Sequence, residues 1–451
     1  MLSAFRDLTR RDSVAYVGTC CQILNTILGG GAGICPLPFA MRLVGVKKGL
    51  SIMVISGILA AHTACSTVTA GCLLDNQAGS LQSIAGRALG SKAAIGVRVL
   101  LVTFAFGSGV AALTIFADVA SVSFHRFSHS MCIGLATCLV GPIVVFVRNI
   151  ERLAPISIVA SALVLVYSIY AGWYFFKPSL LAAGWRAGEA AAEPETGTTA
   201  GLLQAISVIN LSYNCHFNLL TLFNALPPNA IAPPREARRR QQRRMHMLIC
   251  TAMVMSVLLY SSTAYWGYMT FGGTPSGNAL ADYATLGPCG SILNNALAAS
   301  QLASLPLLIH EGVHESIALS AECLGARPVG ERLHPTKQDS AHQDDDRQYL
   351  LRQETDKLLL PSRLPQACGA VWVLMMAIAA TVAADTSRVL SVLSALCGGP
   401  LVSILPLLLL LRADNDMQPA VRLLNLALLL FSVTVTMTCS LSALGLRVAI
   451  F

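Results

Sequence analysis

The chain has 451 residues, 54% of them hydrophobic and 12% charged, with a formal net charge of +8. Soluble domains average about 25% charged residues, whereas here the apolar residues gather into blocks near the roughly 20 residues that span a bilayer. This excludes a soluble globular protein. The basic residues fall mostly between the blocks, where they report topology rather than a nucleic-acid footprint.

Residues 1–13 carry Arg6, Arg10 and Arg11 and read as a cytoplasmic tail. No small-residue cleavage site follows a short apolar core, so no cleaved signal peptide is expected. Apolar segments follow at 14–43, 49–74, 95–122, 130–147, 153–176, 200–225, 247–272, 288–318, 366–385, 389–411 and 421–445. The expectation is an all-α polytopic membrane protein with eleven transmembrane helices. Segments nine and ten are divided only by ADTSR, where Asp385 and Arg388 would form the turn.

The run REARRRQQRR, Arg235 to Arg244, joins segments six and seven and reads as a basic loop that orients the chain and does nothing more. Arg87, Lys92, Arg148, Arg152, Arg412 and Arg422 fall on the same side, which puts the amino terminus in the cytoplasm and the carboxyl terminus outside. Lys47 and Lys48 lie on the opposite side. Residues 177–199 should face outward, and the charged stretch 319–365, with QDDDRQ, reads as a solvated cytoplasmic insert. The 14 cysteines include no CxxC pair and suggest neither a metal site nor a disulfide framework.

Segment one contains ILGGGAGICPLPFA, Ile27 to Ala40. Interior glycine costs up to about 1 kcal/mol against alanine in a helix and interior proline about 3 kcal/mol. Gly29-x-x-x-Gly33 is also a helix-packing pattern. Segment six contains INLSYNCHFNLL, residues 209–220, in which Asn210, Ser212, Asn214, His216 and Asn218 recur every second residue. No single helix face holds that pattern, so an unwound stretch is expected. A broken helix persists in lipid only where it lines a cavity or is buried in protein. Matched breaks in two halves of a chain point to a transport site. Half-helix amino ends offer N–H groups to a carboxylate, and carboxyl ends offer carbonyls to an ammonium group or a cation. Segment eight adds Asn294, Gln301 and Ser304 on one face, just before Pro306.

The same residues carry a family resemblance. GAGICPLPFAMRLVGVKKGL, from Gly31, resembles the first-span motif of the amino acid/auxin permease family. SYNCHFNLLTLFNAL, from Ser212, is similar to its sixth-span motif. YWGYMTFGG, LASLPLLIHEGVHESI and SIAGRALG resemble further stretches of that family, in order and in the right spans. The resemblance implies a LeuT-like fold: two inverted repeats of five helices, 14–176 and 200–411, with helices 1 and 6 interrupted and a peripheral eleventh helix at 421–445. It implies transport of amino acids, neutral ones foremost, by alternating access driven by a proton or sodium gradient. Substrate contacts would come from Gly29, Gly30, Gly31, Ala32, Gly33, Asn214, Cys215 and His216. Ser304 matches a hydroxyl position that serves a cation in sodium-coupled members. Their first-span partner is an Asn that aligns here with Ile27, two residues from Asn25. Asn25, Gln301 and Ser304 are therefore the candidate ion-coupling residues, with the ion left open.

One motif points elsewhere. HEGVH, His310 to His314, has the H-E-x-x-H pattern of zinc proteases. The alternative expectation is an intramembrane metalloprotease using His310, Glu311 and His314, but no third ligand in a suitable setting follows. The primary expectation is not an enzyme. It needs no cofactor, no nucleic acid and no obligatory protein partner, and it sits as a multi-pass protein in the plasma membrane or a lysosomal or vacuolar one.

Overall fold

The computed structural model describes residues 10–29, 33–74, 80–146, 153–176, 198–226, 234–272, 275, 277–323, 364–383 and 386–443. Gly30, Gly31 and Ala32, Asp385, most of 177–199 and most of 319–365 lie outside the described residues. Segment one forms α1 (Arg10–Gly29) and α2 (Leu37–Val44). α3 (Val46–Leu74), α4 (Leu81–Leu89), α5 (Ser91–Ser123), α6 (His129–Phe146) and α7 (Ala154–Phe175) follow. Segment six forms α8 (Thr199–Ser212), a short 3-10 turn at His216–Asn218 and α9 (Leu219–Ala225). Then come α10 (Pro234–Phe271), α11 (Ala279–Ala284), α12 (Pro288–Ala303), α13 (Leu305–Cys323), α14 (Leu364–Val382), α15 (Thr386–Leu393), α16 (Leu405–Ala413) and α17 (Pro419–Ala443). Two π-helical stretches, Ser394–Gly398 and Pro400–Ile404, lie between α15 and α16.

By length and composition, seven helical stretches among the described residues can cross a membrane: 46–74, 91–123, 154–175, 236–271, 288–309, 394–413 and 419–442. Shorter apolar helices cover His129–Pro142 and Cys368–Val382. Their outward faces carry Ile58, Ile169, Leu258 and Leu423, each more than 60% exposed. Such a girdle of exposed apolar side chains is matched to lipid, not water. α17 is the least enclosed, with 11% of its apolar stretch inside the protein against 72% for 394–413.

Two helix groups frame the interior. α5, α6, α13 and α14 pack on one another, while α1, α3 and α10 make a second group, with α7 against both α1 and α12. Close backbone approach explains one letter of HEGVH. A Cβ on Gly312 would lie 2.2 Å from the Ala105 Cβ and 3.3 Å from the Leu101 carbonyl oxygen, so glycine lets α13 touch α5. Next to that motif, Glu315 is buried and pairs with Arg98 of α5 at 3.1 Å, and Gln82 of α4 donates to it. The side chains of His310, Glu311 and His314 lie outside the description.

Breaking a buried pair leaves a charge without its counterion. Arg98→Ala is therefore expected to destabilise the protein by about 3 kcal/mol, read as a lower unfolding midpoint in detergent. Arg98→Lys should recover part of the loss, and an unchanged midpoint in Arg98→Ala would show that the pair contributes nothing.

The basic run is not a loop. Residues 234–246 form the first turns of α10, continuous with segment seven. Arg and Gln are good helix formers, and local contacts fix them there. Glu236 and Arg240 pair one turn apart at 2.6 Å. The Gln241 amide donates to the carbonyls of Phe223 and Leu226, at 2.9 and 3.0 Å, and so satisfies the carboxyl end of α9. Arg244 donates to the Tyr16 hydroxyl at 2.5 Å. The run thus grips α1 and α9, contrary to the reading that it only orients the chain.

Candidate functional site

The first break follows from its residues. α1 stops at Gly29, and Gly33 to Pro36 form turns. Pro36 caps α2 and Pro38 occupies its first turn, where a missing N–H leaves no bond unmade. Gly29 and Gly33 therefore do not share one continuous helix face, which removes the packing-motif reading. Gly33 is required for space: a Cβ there would lie 2.2 Å from the Tyr260 hydroxyl oxygen and 2.6 Å from the Ile27 carbonyl oxygen. α2 ends at Gly45, whose φ of 79° is left-handed and whose N–H caps Met41 at 2.7 Å.

The second break is narrower than the polar repeat suggested. Asn210 and Ser212 remain in α8, and irregular backbone runs from Tyr213 to Cys215 before the 3-10 turn. Asn214 is buried, and both atoms of its amide lack a protein partner. Cys215 is buried with a free thiol. His216 is fully buried, and its Nε2 lies 3.0 Å from the Thr63 hydroxyl. That hydroxyl is within 3.0 Å of the Leu59 carbonyl and 3.1 Å of the Ala60 carbonyl. It gives its proton to one of them, so it accepts from His216 Nε2–H. Nδ1 is then a bare acceptor, and it has no protein partner. Asn218 donates to the Leu307 carbonyl at 2.8 Å and binds the break to α13.

A third cluster joins α1, α7 and the junction of α12 with α13. The Asn25 amide donates to Ser304 Oγ at 2.9 Å and to Ser157 Oγ at 3.1 Å, and all three are buried. Ser304 sits between α12 and α13, and its hydroxyl also donates to the Ser300 carbonyl at 2.9 Å. The family alignment pointed at Ile27. In the structure the Asn25 side chain meets Ser304, and Ile27 contributes its carbonyl to Tyr260 instead. Gln301 is buried nearby in sequence, with its amide nitrogen unpartnered, and Asn294 donates to the Gly290 carbonyl at 2.7 Å. At the other end of the first break, the Ala279 N–H donates to the Cys35 carbonyl at 3.0 Å, and Asn278 donates to Asp118 at 3.1 Å, which also meets His129.

The site residues in the described part thus fall in two places. Gly33, Asn214 and His216 line the two breaks, while Asn25 and Ser304 meet beside α7. Ser157, Thr63 and Tyr260 were not singled out from sequence, because each is one ordinary residue in an apolar helix whose partner lies far along the chain. Among the described residues no three His, Cys, Asp or Glu side chains group as a metal site would require.

Comparison with known proteins adds the family. The chain is 26% identical over 269 residues to vacuolar amino acid transporter 5 of Schizosaccharomyces pombe. That match covers 58% of this chain and 59% of the relative, so the chain spans about three fifths of it. Two mutant structures of the Eremococcus coleocola manganese transporter superpose with TM-scores of 0.56 and 0.57 at 13% identity, covering 96% of this chain and 93% of theirs. At that identity the likeness concerns the fold alone, and it places the helices in a LeuT-like arrangement. Residues 18–451 match the family described as transmembrane amino acid transporter protein, and the chain belongs to that family.

Proposed function

We propose that the protein is a secondary active transporter that moves amino acids, neutral ones foremost, across a membrane by alternating access. The observation that supports this is the meeting of two interrupted helices around buried polar atoms without protein partners, above all the Asn214 amide and His216 Nδ1. In this reading the residues from Gly29 to Gly33 offer backbone N–H groups to the substrate carboxylate. Asn214 and the bare His216 Nδ1 receive its ammonium group, which has three donors and no acceptor.

The chain would cross the membrane eleven times, with the amino terminus in the cytoplasm. Two inverted repeats of five are supported by pairing of helices five apart in order: segments one and six, two and seven, three and eight, and four and nine all pack together. The fission yeast relative's name favours a vacuolar or lysosomal membrane over the plasma membrane.

Coupling to a gradient would run through Asn25, Ser157 and Ser304, with Gln301 in the last turn of α12 just before Ser304. These are neutral oxygen and amide groups, suited to a sodium ion, whereas proton coupling needs a titratable group, and His216 is the imidazole at the second break. The test is uptake of radiolabelled amino acids into proteoliposomes, with sodium replaced by choline, at two external pH values. Uptake above protein-free vesicles is expected for at least one neutral amino acid, and its absence across a full panel would refute the transport reading. Collapse in choline assigns sodium. Uptake that survives choline, rises in acid and loses its acid response in His216→Gln assigns the proton.

A further inference from the structure

α10 passes beside both breaks, and Tyr260 on it is completely buried. Its hydroxyl lies 2.6 Å from the carbonyl oxygen of Ile27 and 2.9 Å from that of Ser212. Ile27 is in the last turn of α1 and Ser212 is the last residue of α8. Carbonyls in the last turn of a helix have no donor within the helix, and they carry the negative end of its dipole. One phenolic proton therefore serves two half-helix ends that are 185 residues apart in the chain. The ring is held against Tyr213 with centroids 5.2 Å apart. Gly33 leaves the hydroxyl the room it needs, since any side chain there would overlap it.

We propose that Tyr260 is a positioning residue whose hydroxyl ties the carboxyl ends of the two half-helices together and sets the spacing of the backbone that receives the substrate. Its consequence for uptake rests on the transport reading above. The tie itself rests on the geometry alone. A tyrosine present only to fill space would be replaced by phenylalanine with little effect. Here phenylalanine removes the donor from two buried carbonyls, and both segments are then free to move toward other donors. Binding that was prepared in advance becomes binding that must order the site first.

The test uses Tyr260→Phe in the full chain, with Tyr167→Phe as control, because the Tyr167 hydroxyl is buried without a partner. In proteoliposomes Tyr260→Phe is expected to raise KM at least about tenfold while the maximal rate stays within about twofold, the signature of lost binding rather than a lost step. In detergent, amide hydrogen exchange should quicken in peptides covering both 24–37 and 209–219. Tyr167→Phe should change neither readout. A KM within about twofold of the parent, or faster exchange in only one of the two segments, would overturn the tie. Lower thermal stability with unchanged KM would also overturn it, since packing alone gives that result. If the parent moves no amino acid, the transport reading fails, and the exchange experiment still decides the tie. If Tyr260→Phe does not fold, 3-fluorotyrosine at position 260 keeps the ring and strengthens the donor. Exchange should then slow in both segments, and unchanged exchange would overturn the proposal.

Discussion

Gly33→Ala is expected to reduce amino-acid uptake by about a hundredfold, since overpacking of about 3 kcal/mol corresponds to roughly that factor. The added methyl would sit 2.2 Å from the Tyr260 hydroxyl and 2.6 Å from the Ile27 carbonyl oxygen. The first neighbour is the tip of a buried ring wedged against Tyr213, and the second is backbone at the end of α1, so neither moves alone. Gly29→Ala makes an instructive contrast. Its Cβ would meet only the Asn25 side-chain oxygen, at 3.3 Å, and a small shift relieves that contact. Gly29→Ala should therefore keep most of the uptake. Both variants are compared in proteoliposomes at matched protein content, with folding checked by size-exclusion profile in detergent. Normal uptake by folded Gly33→Ala would show that the first break is not held against α10 as described.

Asn25→Ala is expected to lower uptake at least about tenfold, because it removes two buried hydrogen bonds each worth roughly 1 kcal/mol. The Asn25 amide is the donor that joins Ser157 of α7 to Ser304 beside α13, so its loss uncouples α1 from both. Ser304→Ala removes the acceptor of one Asn25 bond and the hydroxyl that donates to the Ser300 carbonyl, but Asn25 keeps Ser157 and the Ser300 carbonyl keeps the Ser304 N–H. The informative measurement is the concentration of coupling ion that gives half-maximal uptake, taken for Asn25→Ala, Ser157→Ala and Ser304→Ala. All three should shift it in the same direction. Loss of thermal stability with an unchanged ion dependence would reduce the cluster to interhelical packing.

How far the sequence reached depends on whether the cause was local. The first break could be read because Gly33, Pro36 and Pro38 fail as helix formers wherever they stand. The second could be read as a break from its polar repeat, yet its limits could not. Asn210 and Ser212 kept their helix because hydrogen bonding inside α8 outweighed a pattern that looked aperiodic. Arg235 to Arg244 misled for a different reason. Charge marked it as solvent-facing, but the Arg and Gln residues are good helix formers, and Gln241 and Arg244 found acceptors on α9 and α1 that no local pattern announces. The offset at Asn25 has a similar origin. Position 27 is used through its carbonyl and position 25 through its side chain, so an alignment that expects one residue to do both lands on the wrong letter. Ser157, Thr63 and Tyr260 take their meaning from partners 48 to 233 residues away, and nothing short of the packed structure gives that.

The length of α10 gives it a mechanical character. At 1.5 Å per residue its 38 residues extend about 57 Å, well beyond the roughly 30 Å hydrocarbon layer. The first dozen residues form an arm of about 18 Å that bears on α1 through Arg244 and on α9 through Gln241. Further along the same rod, Tyr260 touches the inner ends of α1 and α8. The rod is thus bound at two heights to the two interrupted segments, and if those segments shift, a tilt of about 10° at the level of Tyr260 would displace its first turn, about 39 Å away, by about 7 Å. Spectroscopic labels on that arm would therefore magnify a small rearrangement at the breaks into a displacement large enough to time.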